Sequence, residues 1–538
     1  MTSNELTYRS TNFANSLVCE YIEGKEELDP FYNRKPNSKN FLNQLREKQL
    51  NYANSNRSVL SETIKDQYKH INFLCDKVEK NISTLADNKT FTITTGHQLN
   101  IMTGPMYFIY KIITTINLVK KLSKDYPEYK FIPIYWMASE DHDLEEISNF
   151  NFKGKNFKWN KKSSGPVGKL SNNGLKELFN VFTKELSKSQ NGKKIKKLIK
   201  QSYLSSKNLA NATRVLVNEI FGQYGLVIID PSEKKLKKLF IPYMKDEIML
   251  QDCERSVLKT LKTIQKKYDK NYKPQVNPRD INLFFLSDNN RKRIFMKSKG
   301  VFALDASDVI FKEKELLEIL NLNPEKFSPN VLMRPLYQEV ILPNLCYVGG
   351  GGELSYWLEL KNYFDVKKIS FPIILHRNSA LIIDYKTSKK IKNLNLKYED
   401  LFLSRSSLIN KKVRQISDID LDLSFLKNTL KNQFAYLQDL VLKTDSTFND
   451  ALTSQMIKQN KGIDDLEKRL LKAQRNKLSD HVNRLTIVHE TLFPGGRLQE
   501  RIVNFSEFYE IYGPELIELL MNNLDPFSGK FNVFEFSN

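Results

Sequence analysis

Apolar and polar residues fall into three successive patterns along the chain. From Asn40 to about Asn88 a polar background carries apolar residues such as Leu50, Leu60, Ile64 and Ile71 at helical spacing. This predicts a mostly helical N-terminal region, residues 1–88, packed on a core. Residues 89–420 repeat a strand, loop and helix. "FTITT" (Phe91 to Thr95) is rich in β-branched residues and ends at Gly96, as a buried strand does. Met106 to Leu122 has apolar residues at helical spacing and is rich in lysine at its end, which suits a helix C-terminus. Phe131 to Met137 is a second apolar run, "LVIIDPSEKKLKKLF" and "CYVGGGGELSYWLELKNYF" repeat strand and helix, and "FPIILHR" and "ALIIDY" read as later strands. The repeat predicts an α/β fold with a parallel sheet. Two segments interrupt it: a helical one near 155–220, and one near 270–330 whose "INLFFLSDNNRKRIFMKSKGVFAL" reads as short strands joined by polar turns.

From Leu421 the pattern changes again. Ile463, Leu466, Leu470 and Ala473 recur at three- and four-residue steps, and Leu478, Val482 and Leu485 resume the series. Long helices in an antiparallel hairpin or coiled coil are predicted over 421–492, stopped by "FPGG", with 493–538 returning to the core.

Parallel α/β sheets bind ligands beyond the carboxyl ends of their strands. "TTGHQLNIMTGPMYFIYK" and "ASEDHD" both begin at such ends, so their loops face one crevice. In the first loop, Gly96 and Gly104 allow close backbone approach, and His97, Gln98, Asn100, Thr103 and Lys111 offer groups for an anion or a proton. The alternative is an ordinary strand–helix turn capped by Thr103. In the second, Glu140, Asp141 and Asp143 surround His142 just after Trp136. Such a cluster binds an amine, holds Mg²⁺ or orients the histidine; the alternative is a polar loop capping the next helix. Gly349, Gly350, Gly351 and Gly352, followed by Glu353, form a glycine-rich loop that opens a helix. It matches neither phosphate-loop pattern, yet its backbone N–H groups can cradle a nucleotide; a tight turn is the alternative. His376 and Arg377 follow an apolar strand and can meet a carboxylate or phosphate. Cys346 reads as a small buried side chain, and His481 and His489 as structural.

Charge narrows the classes. The 538 residues carry a net charge of +21, mostly from lysine spread along the chain. Its local maximum, "NGKKIKKLIK", has helical apolar spacing and reads as a solvated face. Small anionic substrates are therefore expected rather than nucleic acid. Four dispersed cysteines without a CxxC pair fit a reduced cytoplasm and no structural metal. No run is long and apolar enough for a bilayer, and "MTSNELTYRS" lacks the pattern of a secretion signal, so no membrane partner is expected.

Four ordered stretches, "TGHQLNIMTGPMYFIYK", "PIYWMASEDHDLEEI", "RPLYQEVILPNLCYVGGGGELSYWLELK" and "RLQERIVN", resemble the bacillithiol biosynthesis cysteine-adding family, BshC, over essentially the whole chain. The chain departs from the family at His97, where many members have Gln, at Cys346, where Ala is common, and at Gly351, where Pro is common. The first departure argues against a required acid–base role for His97. The resemblance implies a Rossmann-like core with inserted connecting segments, and a C-terminal coiled coil that pairs two subunits. It implies ligation of the cysteine carboxyl to the amine of glucosaminyl-malate, the last step of bacillithiol synthesis. The carboxyl needs activation, expected from ATP with Mg²⁺ as an acyl-adenylate or acyl-phosphate. Asp141, His142 and Asp143, with His97, are the expected catalytic groups. Gln98, Asn100, Thr103, Lys111, Trp136, Glu140, His376 and Arg377 are the expected substrate contacts. Gly349 to Gly352 and Glu353 are expected at the nucleotide. Two other readings stand beside this one: a class I synthetase-like or tRNA-acting adenylating enzyme, and a non-enzymatic coiled-coil scaffold.

Overall fold

The computed structural model describes residues 2–69, 71, 74–287, 289–441, 443 and 447–536. Five parallel strands form its central sheet: β1 (Thr90–His97), β2 (Lys130–Met137), β3 (Val227–Ile229), β4 (Asn344–Gly349) and β5 (Ile373–His376). Their order is β5-β4-β1-β2-β3. Every residue of β1 is buried, which explains its unbroken β-branched and aromatic run: both faces of the sheet are covered. Helix α1 (Tyr107–Asp125) crosses from β1 to β2, and helix α2 (Gly351–Glu359) follows β4.

Strand order decides where a ligand can enter. The chain runs outward from β1 through β2 to β3, then returns to lay β4 on the opposite side of β1. Loops leaving β1 and β4 therefore diverge, and the crevice between them is the topological switch point of a Rossmann-like sheet. Residues pair from Thr90–Lys130 to His97–Met137, so β1 and β2 end level and their following loops lie side by side.

The segment between β2 and β3 contains a hairpin (Asn149–Phe152 with Lys155–Lys158) and helices Leu175–Glu185, Gln190–Ile199 and Leu209–Phe221. Between β3 and β4 lie helices Lys234–Leu250 and Asp252–Lys267 and a five-stranded antiparallel sheet, the β insertion, that includes Leu283–Ser287, Asn290–Ser298 and Phe327–Pro329. Farther on, Ser424–Val441 and Thr447–Lys477 pack as an antiparallel hairpin: Lys427, near the start of the first, pairs with Asp464 at 2.5 Å and Glu467 at 3.7 Å in the second.

Three readings of the pattern need correction. "ALIIDY" is a strand, as read, but it lies outside the central sheet. Its Ser379–Ile383 pairs parallel with Lys530–Glu535, which pairs antiparallel with Thr2–Thr7, giving a separate three-stranded sheet. The N-terminal region thus begins with a strand rather than a helix. Its partner lies more than five hundred residues away, so local periodicity carries no sign of the pairing. Leu50, read as an apolar helical position, is 85% exposed near the end of helix Ser38–Asn51.

The loop after β1 is held under strain. Met102, Thr103 and Gly104 all have left-handed backbones, with φ of 53°, 66° and 64°. Such residues persist only where their surroundings over-determine them. Asn504, from the segment after the helical hairpin, donates through Nδ2 to Met102 O at 2.6 Å and Gly104 O at 2.5 Å. Tyr203 Oη accepts from Met102 N at 2.7 Å. A Cβ at Gly104 would come 2.7 Å from Asn100 Cβ, so only glycine fits. Replacing Asn504 with leucine strands two buried carbonyls and should cost about 2 kcal/mol or more in denaturant unfolding; a stability equal to wild type would overturn the clamp.

Candidate active site

A cavity of about 1030 Å³ opens beyond the carboxyl ends of β1, β2 and β4, walled on its far side by the β insertion. Each wall has a distinct chemistry.

At the ends of β1 and β2, Gln98 ties the two loops together. Its Nε2 donates to Asp141 Oδ2 at 2.8 Å and Glu146 Oε2 at 2.9 Å. The Asp141 Oδ1 atom accepts from His142 N at 2.7 Å and lies 3.7 Å from an Arg291 nitrogen. Burial alone would raise the Asp141 pKa, but hydrogen bonds from His142 and Gln98 and the Arg291 charge hold it well below the usual carboxylate range. Asp141 is therefore a fixed negative charge and a weak base. Glu140 pairs with the fully buried Lys237 at 2.8 Å, and Lys237 also donates to Phe327 O at 2.8 Å in the β insertion.

Across the switch point, Lys111 of α1 braces the two diverging loops. Its Nζ donates to Gly96 O at 2.8 Å, at the end of β1, and pairs with Glu353 in the first turn of α2. Glu353 also accepts from Tyr347 Oη at 2.5 Å and from Gly350 N at 2.8 Å. Burial opposes the charge on Glu353, yet Lys111, the Gly350 N–H and Tyr347 together hold its pKa low. Burial lowers the Lys111 pKa, and Glu353 resists that shift.

His97 lines the cavity with its ring against Tyr107 and Phe108, centroids 5.3 and 4.9 Å away. Burial, then the charges of Lys111 and Arg377, push its pKa well below that of a free imidazole. The ring is neutral, and among the described residues its buried Nε2 has no hydrogen-bond partner. Arg377 also lines the wall, bound to Glu500 by two hydrogen bonds of 3.0 and 2.6 Å. Among the described residues its buried Nε finds no hydrogen-bond partner.

Two family models account for nearly the whole chain. "Bacillithiol biosynthesis BshC, N-terminal Rossmann-like domain" matches residues 1–378, and "Bacillithiol biosynthesis BshC, C-terminal coiled-coil domain" matches 380–536. The chain belongs to the BshC family.

Relatives agree along their full lengths. A protein of Flavobacterium johnsoniae is 48% identical over 533 residues, covering 99% of each chain. One from Christiangramia forsetii is 47% identical over 540 residues, covering 100% of this chain and 99% of that one. One from Bacillus cereus is 26% identical over 542 residues, covering 96% and 98%. All three bear the name "Putative cysteine ligase BshC". The chain is a ligase of this family, with the Rossmann-like and coiled-coil domains its sequence implied.

Within this BshC fold the cavity wall holds His97, Gln98, Lys111, Trp136, Glu140 and Asp141, as well as Arg377, Glu353 and three of the four glycines. Six expected residues lie off it. Asn100 turns back to donate to Glu146 O at 3.3 Å, and Thr103 is buried in the strained turn. Asp143 caps the short helix Leu144–Ile147, accepting from Glu146 N at 3.2 Å. The His142 ring lies behind Asp141, with Nδ1 3.1 Å from Arg291. Gly349 ends β4, and its carbonyl accepts from Arg377 N at 2.8 Å. His376 packs edge-on against Tyr8, 4.6 Å away, and burial with the nearby Arg377 and Arg501 charges pushes its pKa down to about 3.

The residue pattern missed much of the cationic wall. Arg279, Arg291, Arg293, Arg334 and Arg501 all line the cavity. Among the described residues Arg334 hydrogen-bonds neutral groups alone, Gln338 Oε1 at 3.0 Å and Tyr356 Oη at 3.3 Å, and stands over the Tyr347 ring at 5.3 Å. One signal was available: Arg291 and Arg293 are spaced two apart in a predicted strand, which puts both on one face.

Proposed function

We propose that the chain joins the carboxyl of cysteine to the amine of glucosaminyl-malate to form bacillithiol, and that it uses ATP. The observation that carries this reading is Asp141, a carboxylate kept ionised on the wall of a cavity otherwise rich in arginine. An ammonium group pairs with such a charge, while anionic parts of the substrates meet the guanidinium groups. Ligation would form one C–N bond at the cysteine acyl carbon and break the C–O bond that joins that carbon to the ATP-derived phosphate or AMP, which would leave with the bonding electrons, and the amine must lose a proton. Asp141 orients the amine, and its low basicity leaves the proton to pass to solvent or to a more basic group. The neutral His97, with Nε2 free, offers an acceptor to the same amine.

A nucleotide phosphate suits the glycine loop. Gly350 to Gly352 open the N-terminus of α2, a Cβ at Gly352 would meet nothing within 4 Å, and the unpartnered Arg377 Nε lies 3.6 Å from where a Cβ of Gly350 would stand. ATP, when bound, supplies the activation that a free carboxylate lacks. The test is incubation with cysteine, glucosaminyl-malate, ATP and Mg²⁺, omitting each in turn, with mass spectrometry for bacillithiol. The expected result is product that requires every component. Product without ATP would overturn the nucleotide, and no product from the complete mixture would overturn the ligation.

A further inference from the structure

Helix α2 serves the cavity at both ends. Its N-terminus opens at Gly350 to Gly352 on the cavity wall. Its last residue, Glu359, lies roughly 12 Å farther along the axis and holds a second stretch of wall. That stretch is a strap, residues 268–282, between helix Asp252–Lys267 and strand Leu283–Ser287, and it forms no helix or strand. Gln275, Val276, Asn277, Arg279 and Ile281 from it line the cavity. Its middle, "KPQVNP", has prolines at Pro274 and Pro278. Each fixes its own φ and drives the preceding residue toward an extended backbone, so the strap is stiff and short of N–H donors.

Both ends of the strap are anchored. Tyr268 Oη donates to Glu20 Oε2 at 2.5 Å in helix Ser16–Glu23. Asn282 N and Nδ2 donate to the buried Glu247 at 2.9 and 2.8 Å, and Asp280 accepts from Met296 N at 2.8 Å. The middle depends on one side chain. Glu359 Oε1 accepts from Tyr272 Oη and from Gln275 N, each at 2.8 Å. Among the described residues, every hydrogen bond made by 273–278 ends on Glu359.

Stability does not account for a carboxyl at this place. Glu359 is fully buried, at the helix end where the dipole disfavours negative charge. Among the described residues no cation offsets it, and its Oε2 has no hydrogen-bond partner. What it does is fix the strap against the helix that carries the glycine loop.

We infer that Glu359 is a positioning residue that latches 273–278 over the cavity, so that the strap keeps water from the activated cysteine carboxyl. The inference rests on the ligase reading above. An acyl group activated for transfer reacts with water as well as with an amine, so ligation gains from a wall that excludes water. In the wasteful reaction a water oxygen bonds the acyl carbon, and the ATP-derived group leaves with the electrons of the broken C–O bond. A proton passes to solvent, and cysteine is released unchanged while ATP is consumed.

E359M removes the acceptor and keeps the bulk. Its urea stability should equal or exceed that of wild type, as when an unpaired buried carboxylate becomes apolar. Hydrogen exchange at the Gln275 amide should quicken about 10-fold or more, the loss expected for a hydrogen bond to a carboxylate. In turnover E359M should consume about threefold or more ATP per bacillithiol formed, while E359Q, which keeps the Oε1 acceptor, should restore the ratio. Y272F leaves α2 untouched and should move both readouts the same way by less. Unchanged exchange at Gln275 in E359M and Y272F would overturn the latch. Faster exchange with an unchanged ATP ratio would overturn the shield. A loss of stability and activity together, unrescued by E359Q, would make Glu359 merely structural. Should wild type make no bacillithiol, or make it without ATP, the ligase reading fails while exchange at Gln275 still decides the latch.

Discussion

Replacing Asp141 with asparagine should lower kcat/KM for glucosaminyl-malate about 100-fold or more, with the KM for cysteine unchanged. The substitution keeps the shape of the side chain and removes its charge. Gln98 Nε2, which donates to Asp141 at 2.8 Å, would still meet the oxygen of the new amide, whose NH2 would then face His142 N and Arg291 where Oδ1 had accepted, so the junction between the loops should persist but weaken. Of the interactions lost with the charge, the one that touches substrate is with the ammonium group, which is why the effect falls on one substrate. Steady-state kinetics with each substrate varied would decide it. A change below about threefold would remove Asp141 from the mechanism, since positioned groups contribute far more than that.

The same variant should alter the acid side of the stability curve. The folded pKa of Asp141 is depressed. Its contribution is therefore present above the ordinary carboxylate pKa of about 3.9 and is lost as pH falls through the lower folded value. D141N should show less acid destabilisation from this site. Any rise of wild-type rate with pH near neutrality cannot be the titration of Asp141, which is already ionised there.

Lys111→Met should be the most destabilising change at the site. Lys111 is 5% exposed and joins Gly96 O to Glu353 across the switch point. Removing one partner leaves a largely buried carboxylate unpaired, which costs about 3–5 kcal/mol. K111M/E353Q should recover part of that loss, because glutamine keeps an acceptor for Gly350 N–H without the charge. Urea unfolding of both variants tests the pair. Equal stability of K111M and wild type would show that the brace carries no load, while failure of the double variant to recover would place the cost at Gly96 instead. Activity should fall in both, because the brace sets the distance between the loop bearing His97 and the helix bearing Gly350.

Much of the architecture follows from local pattern. Continuous β-branched runs such as Phe91 to Thr95 mark strands buried on both faces, and heptad-like spacing around Leu466 and Leu470 marks the helical hairpin. The loops at the ends of β1, β2 and β4 were legible because glycines and clustered carboxylates at strand ends are local features, and Gln98, Asp141 and Glu353 do meet in one cavity. Within those loops the pattern could not tell which side chains face inward. Asp143, Asn100 and His142 have the chemistry for a site but are committed to a helix cap, a backbone carbonyl and Arg291.

What the chain alone determined was the type of most core elements, the family and the polar loops. Tertiary structure alone decided the strand order that makes β1 and β4 the switch point, the return of the segment around Glu500 and Asn504 to clamp the site, and which arginines gather on the cavity wall. The physical reason is range. Helical and strand periodicity express interactions among near neighbours, whereas Arg377–Glu500 and Asn504–Met102 join residues 123 and 402 positions apart. Closing such distances depends on the whole core, and no short window of sequence encodes it.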